Sequence, residues 1–135
     1  MHHELVSDPL GAEDLWADLT TNIELLKAAG HTDALVLFGF AWGRHFYKDQ
    51  WHDLPMALDV LTQRVAEAEA KKWGRLGDDN LYITIEALSI RLHYSHESDI
   101  HLSHGDENPV VASIRQRWLS LGWLSESLKS KSYNR

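Results

Sequence analysis

DALVLFGFAWGRHFY, residues 33–47, is the stretch on which the fold depends. Residues 34–42 carry no charged side chain, and a segment that is apolar all round is either a buried helix or a buried strand. The whole stretch is longer than the usual strand of about five or six residues, so its length favours one buried helix. We expect this helix to lie at the centre of the molecule. The residues that we predict to be most buried are Leu37, Phe38, Ala41 and Trp42.

Composition bounds the class of protein. The 135 residues predict a single domain over 1–135, and six tryptophans with 44% hydrophobic residues can fill its core. The absence of cysteine excludes disulfides, thiol catalysis and any zinc site that needs a thiolate. The N-terminus shows no basic region followed by an apolar run, and no apolar run reaches the ~20 residues of a membrane span. We therefore expect a cytoplasmic protein that does not bind a membrane.

The charge of the chain is negative and unevenly distributed. The formal net charge is −7, and between Leu76 and Val111 seven carboxylates accompany Arg91 alone. Binding to nucleic acid requires clustered Lys and Arg, so we expect no nucleic-acid partner. A basic protein surface would instead be attracted. The alternative is that the charge only keeps a small domain in solution.

The chain opens with a predicted helix that Asp8 caps and Gly30 ends. Its apolar stripe has helical spacing and consists of Leu15, Trp16, Leu19, Ile23 and Leu26. Asp14 and Asp18 are one turn apart, and we predict that both belong to a solvated acidic face opposite this stripe. Their spacing also suits acid–base or metal chemistry, but no histidine stands at a matching position.

Two further helices follow from capping signals. The first begins at Asp53 and Pro55 and ends at Gly74, which gives three N-terminal helices in succession. Its apolar stripe is Leu58, Leu61, Val65 and Ala68. The other begins at Asn108-Pro109 and ends at Gly122. Residues 125–135 are polar and are predicted to fray.

Between these helices the hydrophobic period changes from helical to alternating. Leu81 to His104 therefore predicts a small antiparallel meander, interrupted near Ala87-Leu88. Pairing Tyr94 with Ile100 puts the apolar residues of the last two runs on one face, as a strand register requires. That pairing needs an odd-numbered loop centred on Glu97.

The same register predicts a polar cluster on the other face of the meander. His93 lies opposite His101, and Ser95 lies opposite Asp99. Such a cluster could bind a transition metal or supply a general base, or it could form a recognition surface. The simplest interpretation is the solvent-facing side of a half-buried hairpin. His104 falls on the apolar side and is left out of the cluster.

The end of the central helix offers a second arrangement of possible metal ligands. His45, Asp49 and His52 would lie on one side of a continuing helix, where they could approach a divalent ion. Ordinary capping and hydrogen bonding explain the same residues. We predict no bound metal and no cofactor.

Together these patterns predict an α+β fold: three N-terminal helices, a small antiparallel meander and a C-terminal helix. A small, acidic, cysteine-free domain of this kind resembles the immunity proteins that bacteria pair with secreted or contact-delivered toxins. The segments that carry the resemblance are LYITI (81–85), RLHYSHESDIHL (91–102) and NPVVASIRQRW (108–118). The resemblance implies a binder that occludes a toxin's active site, often through acidic residues that mimic its phosphate substrate.

The predicted function is therefore non-enzymatic binding of a basic protein partner, namely a toxin domain. The residues predicted to form the interaction surface are Asp78, Asp79, His93, Glu97, Asp99, His101, Asp106 and Glu107. One alternative is a small metal- or His-dependent enzyme that uses His93, Asp99 and His101. Another is a structural subunit that forms homo-oligomers through aromatic residues near Trp51 or Trp123.

Overall fold

Strands and helices alternate along the first half of the chain. The computed structural model describes residues 2–46 and 52–124. Its strands are β1 (His3–Val6), β2 (Asp33–Phe38), β3 (Leu54–Ala57), β4 (Leu81–Ile85), β5 (Ile90–Tyr94) and β6 (Ile100–His104). Its helices are α1 (Ala12–Ala28), α2 (Phe40–Phe46), α3 (Leu58–Ala70) and α4 (Pro109–Ser120). The predicted frayed tail, 125–135, lies outside the described residues.

The described strands form one antiparallel sheet in the order β1-β6-β5-β4-β2-β3. The α+β class is confirmed, and the C-terminal helix is present as α4, with Asn108 Oδ1 accepting from the Val111 amide at 2.9 Å. The predicted succession of three N-terminal helices is wrong. Strands β1, β2 and β3 are interspersed with α1 and α2 in that half of the chain.

The central stretch is two elements instead of one helix. Strand β2 ends at Phe38, and α2 begins at Phe40. Gly39 separates them, and its amide donates to the Asn80 carbonyl at 3.0 Å. Strand β2 shows no polar alternation because its last residues, Val36, Leu37 and Phe38, are buried on both faces of the sheet. Two short elements follow each other here without a polar break, so the length of the apolar stretch does not indicate a single helix.

The predicted burial of this stretch is confirmed where the structure describes it. Leu37 is 7% exposed, and Phe38 and Trp42 are fully buried. The side chain of Ala41 lies outside the described set. The Trp42 indole donates to the Asn80 carbonyl at 2.8 Å and meets the Phe38 ring edge-on at 5.2 Å. Burial, rather than helicity, was therefore the reliable part of the prediction.

The predicted helix from Asp53 to Gly74 is shorter than expected. Pro55 lies in the edge strand β3, where a proline is tolerated because an edge has N–H groups that need no ladder partner. Helix α3 begins only at Leu58, and its predicted apolar stripe is buried. It ends at Ala70, so Gly74 is not its terminator. A Cβ at Gly74 would lie 2.8 Å from Trp42 Cβ, so this glycine permits a close approach.

The beginning of the chain also differs from the prediction. Residues 3–6 form β1, whose Leu5 is buried and pairs with Leu102. Helix α1 starts at Ala12 rather than next to Asp8, because the Leu10 amide instead donates to the Ser98 carbonyl at 2.8 Å. Four residues at a chain end are too few to show a convincing alternation.

The meander has the predicted register. Tyr94 pairs with Ile100, and the Ser95 amide donates to the Asp99 carbonyl at 2.9 Å, which leaves residues 96–98 as the loop. Its third residue, Ser98, has a left-handed φ of 67°. A left-handed third residue is typical of three-residue hairpin loops. The predicted interruption is a 3-10 turn at Glu86–Leu88. The predicted placement of His104 is also confirmed, since it is 3% exposed.

The two faces of the sheet differ in chemistry. One face supplies the core, which it shares with the apolar stripes of α1, α3 and α4. We name the opposite face of β4, β5 and β6 the outer face. Its residues are partly exposed, and they are Tyr82, Thr84, Arg91, His93, His101 and Ser103.

A buried carboxylate connects the helices to the sheet. The predicted solvated position of Asp18 is wrong: it is 1% exposed and lies on the core side of α1, whereas Asp14 is exposed. Asp18 Oδ1 accepts from Arg117 at 2.6 Å and from the Trp118 indole at 2.8 Å. Its Oδ2 accepts from Asn22 and from the Tyr94 hydroxyl, both at 2.7 Å. Hydrogen bonding and pairing together make burial of this charge tolerable.

Asp18→Asn should therefore destabilise the protein strongly. The change leaves the Arg117 charge without its partner, and breaking a buried pair in this way costs about 3–5 kcal/mol. Asp14→Asn is the matched control, since the same change one turn earlier affects an exposed side chain. Urea unfolding should show the large loss for position 18 only. Equal stability of the two variants would contradict the structural role of this carboxylate.

Trp42→Ala should cost about 3–5 kcal/mol of unfolding free energy, because it leaves a large cavity in the core. Trp73, which is only partly buried, provides the comparison. Chemical denaturation of Trp42→Ala and Trp73→Ala should show the larger loss for Trp42. If thermal and urea stability were unchanged in Trp42→Ala, α2 would be peripheral to the fold.

Candidate functional site

The structure brings together the predicted polar cluster on the outer face. The rings of His93 and His101 have centroids 5.2 Å apart and are tilted by 30°. Asp99 Oδ1 lies 3.1 Å from His101 Nε2, and Glu4 Oε2 lies 3.5 Å from His101 Nδ1. Glu4 was not part of the prediction, because strand β1 that carries it was not recognised.

His93 is held by a buried amide that the sequence did not single out. Its Nε2 lies 2.8 Å from Asn80 Oδ1, which also accepts from the His96 amide at 3.0 Å. Asn80 is 3% exposed, and its carbonyl is the acceptor for Trp42 and Gly39. Asn80 therefore joins the cluster to the core. The sequence signal that could have identified Asn80 is its position as the last polar residue before β4.

Burial affects the protonation of His93. It lowers the pKa of His93 to about 4, with the neighbouring His101 acting in the same direction and Asp99 opposing it. A general base works best when its pKa is near the operating pH, so His93 is poorly suited to that role at pH 7. Within residues 2–46 and 52–124, no group of three or more His, Asp or Glu is placed to hold a metal ion. For the other arrangement, His45–Asp49–His52, Asp49 lies outside the described residues.

The predicted acidic residues separate into two groups at opposite ends of β6. Asp78, Asp79, Glu97 and Asp99 lie at the end where the β5–β6 loop turns. Asp106 and Glu107 follow His104 at the other end. The pKa of Glu107 is held below its usual range by a bidentate bond from Arg115, at 2.5 and 2.9 Å. The predicted residues therefore do not form one surface.

Three segments meet at the loop end, and we name them together the acidic end: residues 8–14, 75–79 and 95–99. The Leu10 amide bonds the Ser98 carbonyl, and Ser98 Oγ bonds the Gly77 carbonyl at 3.2 Å. These segments contain seven carboxylates and a single guanidinium, that of Arg75. The carboxylates are Asp8, Glu13, Asp14, Asp78, Asp79, Glu97 and Asp99. Glu13 and Asp14 joined the group only through folding, since they are distant from the hairpin in sequence.

Some of these carboxylates already have partners within the acidic end. Asp79 accepts from the Arg75 amide at 3.0 Å, and Asp78 pairs with the Arg75 guanidinium at 2.9 Å. Asp99 accepts from the Ser95 hydroxyl and lies beside His101. Glu13, Asp14 and Glu97 are exposed. The exposed carboxylates are therefore the ones best placed to meet another molecule.

A cavity of about 270 Å³ lies at the other end, between β1 and the start of α4. The stacked rings of His3 and His104, 5.2 Å apart, form part of its lining. Arg115, the cation in this cavity, is engaged by Glu107. The cation of this cavity is therefore already paired, and the carboxylates of Glu4 and Asp106 also belong to the lining.

Comparisons with protein-family models, curated proteins and solved structures find no match for this chain. None of the helices described, of which α1 is the longest, is long and apolar enough to cross a membrane.

The burial of His93 predicts a pH effect on stability. Unfolded His93 takes up a proton below its ordinary pKa of 6.5, whereas folded His93 does so only near 4. Stability from this residue is therefore present above pH 6.5 and is lost as the pH falls towards 4. His93→Gln keeps an amide donor for Asn80 but removes this proton uptake. Unfolding free energies measured across that window should fall less steeply for the variant, and equal slopes would contradict the assignment.

Proposed function

We propose that this protein is a non-enzymatic binding domain that acts as an immunity protein, neutralising a cognate toxin by occluding its active site. The acidic end is the observation that supports the proposal. A toxin that binds nucleic acid or another phosphate substrate presents Lys and Arg around its active site. The acidic end offers carboxylates that can pair with such cations.

The fold holds the three segments of the acidic end in one arrangement, and this order favours binding. Its three segments are joined by backbone and hydroxyl hydrogen bonds, and Asn80 anchors the hairpin to the core. A surface that is already ordered loses less conformational entropy when a partner binds. Glu13 and Asp14 also lie in the first turn of α1, where the helix dipole favours negative charge.

Two lysines lie at the border of the acidic end, where Lys72 lines one cavity with Asp78 and Asp79. Lys71 and Lys72 follow the end of α3, close in sequence to residues 75–79, and the Lys71 ammonium lies over the Trp73 ring at 4.7 Å. Asp106 and Glu107 belong to the opposite end of the sheet. We therefore propose the acidic end as the interface, without Asp106 and Glu107.

The test requires the partner, and the first protein to try is the product of the gene adjacent to this one. The variant Glu13→Gln, Asp14→Asn, Glu97→Gln removes three exposed charges at the acidic end. At low ionic strength we expect its association rate to fall by about tenfold, because exposed charges mainly steer encounter. Raising salt should reduce the wild-type rate in the same way, since the Debye length falls to ~3 Å at 1 M.

The control removes three charges at the opposite end: Asp33→Asn, Glu86→Gln, Asp106→Asn. Both variants have the same net charge, so a difference between their association rates reports position and not total charge. Wild type and control should associate at similar rates. Equal, salt-independent rates for all three proteins would overturn the acidic-end interface. Absence of binding to the adjacent gene product would overturn the proposed function, and loss of a hydrolytic activity in His101→Ala would favour the enzyme alternative.

A further inference from the structure

Arg91 has an unusual position for a cation. It lies on the outer face in the middle of β5, opposite Thr84 on one side and Ser103 on the other. Its guanidinium carbon is 4.7 Å from the centre of the Tyr82 ring, a cation–π distance. Among the outward residues of the described strands it is the single Lys or Arg. The strand and the ring together fix where this charge is held.

Arg91 also differs from other arginines in having no carboxylate. Arg64, Arg75, Arg115 and Arg117 each pair with one, at 2.5 to 3.8 Å. Within the described part of the chain, Arg91 has no such partner and no hydrogen bond from its guanidinium. Its Nε is buried and unbonded, which leaves the terminal nitrogens as the groups that another molecule can reach. A guanidinium oriented by packing but lacking an anion is prepared to bind one.

We propose that Arg91 binds a carboxylate from an acidic side chain of the protein partner, so that the outer face forms a second contact surface. This inference rests on the proposed function, since it assigns a further contact to the same complex. A carboxylate is the expected ligand, because a guanidinium and a carboxylate form two parallel hydrogen bonds. Tyr and Arg are also enriched among the residues that contribute most to protein interfaces.

The surroundings favour a single carboxylate over a polyanion. Arg91, Ser103 and Glu4 are successive cross-strand neighbours on β5, β6 and β1, so Ser103 lies between the other two. Asp99 lies beside His101, at the end of β6 nearer the loop. These carboxylates repel a phosphate chain but leave room for one charge at Arg91. The Thr84 and Ser103 hydroxyls are the nearest cross-strand neighbours that can donate to the bound oxygens.

The first experiment uses a small probe and no toxin. N-acetyl-glutamate N-methylamide is titrated into the labelled protein on the order of tens of millimolar, as suits a weak single-site contact. The guanidinium Nε–H signals are then followed by NMR. N-acetyl-glutamine N-methylamide is the matched neutral probe. Arg115 and Arg117, which already hold carboxylates, are the internal controls.

We expect the Arg91 signal to move at least threefold more than those of Arg115 and Arg117, with the glutamate probe only. Arg91→Gln should abolish the accompanying shifts of Tyr82, and its unfolding midpoint checks that the fold is retained. Shifts of equal size at all three arginines, or equal shifts with both probes, would overturn the proposal.

The second experiment uses the toxin and separates this inference from the proposed function. Arg91→Gln should speed dissociation by about tenfold or more while leaving the salt dependence of association unchanged, because a desolvated contact acts on the off-rate. If the toxin binds and Arg91→Gln dissociates like wild type, the inference fails and the proposed function stands. If no toxin binds but the glutamate probe does, the proposed function fails and the Arg91 site stands.

Discussion

The buried carboxylate of Asp18 is the interaction on which the arrangement of layers depends. It accepts four hydrogen bonds, from donors on α1, β5 and α4. A charge in a core is costly unless every lone pair is used, so the carboxylate fixes the position of each donor in a way that apolar contacts alone do not. Burial raises the pKa of Tyr94 well above 10, and Asp18 acts in the same direction, which keeps the phenol protonated as a donor. Helices and sheet are thereby set in one mutual orientation.

The two proposed contact surfaces share the hairpin formed by β5 and β6. Its loop carries Glu97 into the acidic end, and its strands carry Arg91 on the outer face. Asn80 accepts a hydrogen bond from the loop at His96 and contacts His93 on the strand, so the loop and the face are held as one unit. In the proposed complex, a partner that meets the acidic end first would be guided to the Arg91 guanidinium on the same hairpin. Carboxylates of the acidic end would then steer association, and Arg91 would contribute to specificity.

Parts of this structure that depend on short-range periodicity could be predicted from the sequence. Alternation and the odd-numbered loop were sufficient to predict the pairing of His93 with His101. The pair Asn108-Pro109 was sufficient to predict the start of α4. The division at Gly39 was not predictable from length, because an interior strand and a buried helix are both apolar. Asp18 lies on the same helical stripe as Leu15 and Asn22, but its charge predicted exposure to solvent. The Arg117 guanidinium that compensates this charge is distant in sequence, so the pair could not be predicted. The acidic end was only partly predictable, since the segment that carries Glu13 and Asp14 is joined to the hairpin by a tertiary hydrogen bond, from the Leu10 amide to the Ser98 carbonyl.

The pairing of β1 with β6 has a consequence for the order of folding. His3 pairs with His104, and Asp18 bonds residues about a hundred positions later in the chain. Closing such long loops is slow compared with forming a helix or a hairpin. During synthesis α1 therefore emerges with a carboxylate whose cation on α4 has not yet been made. The β5–β6 hairpin can form locally, and we expect the pairing of β1 with β6 and of Asp18 with Arg117 to follow it as late steps.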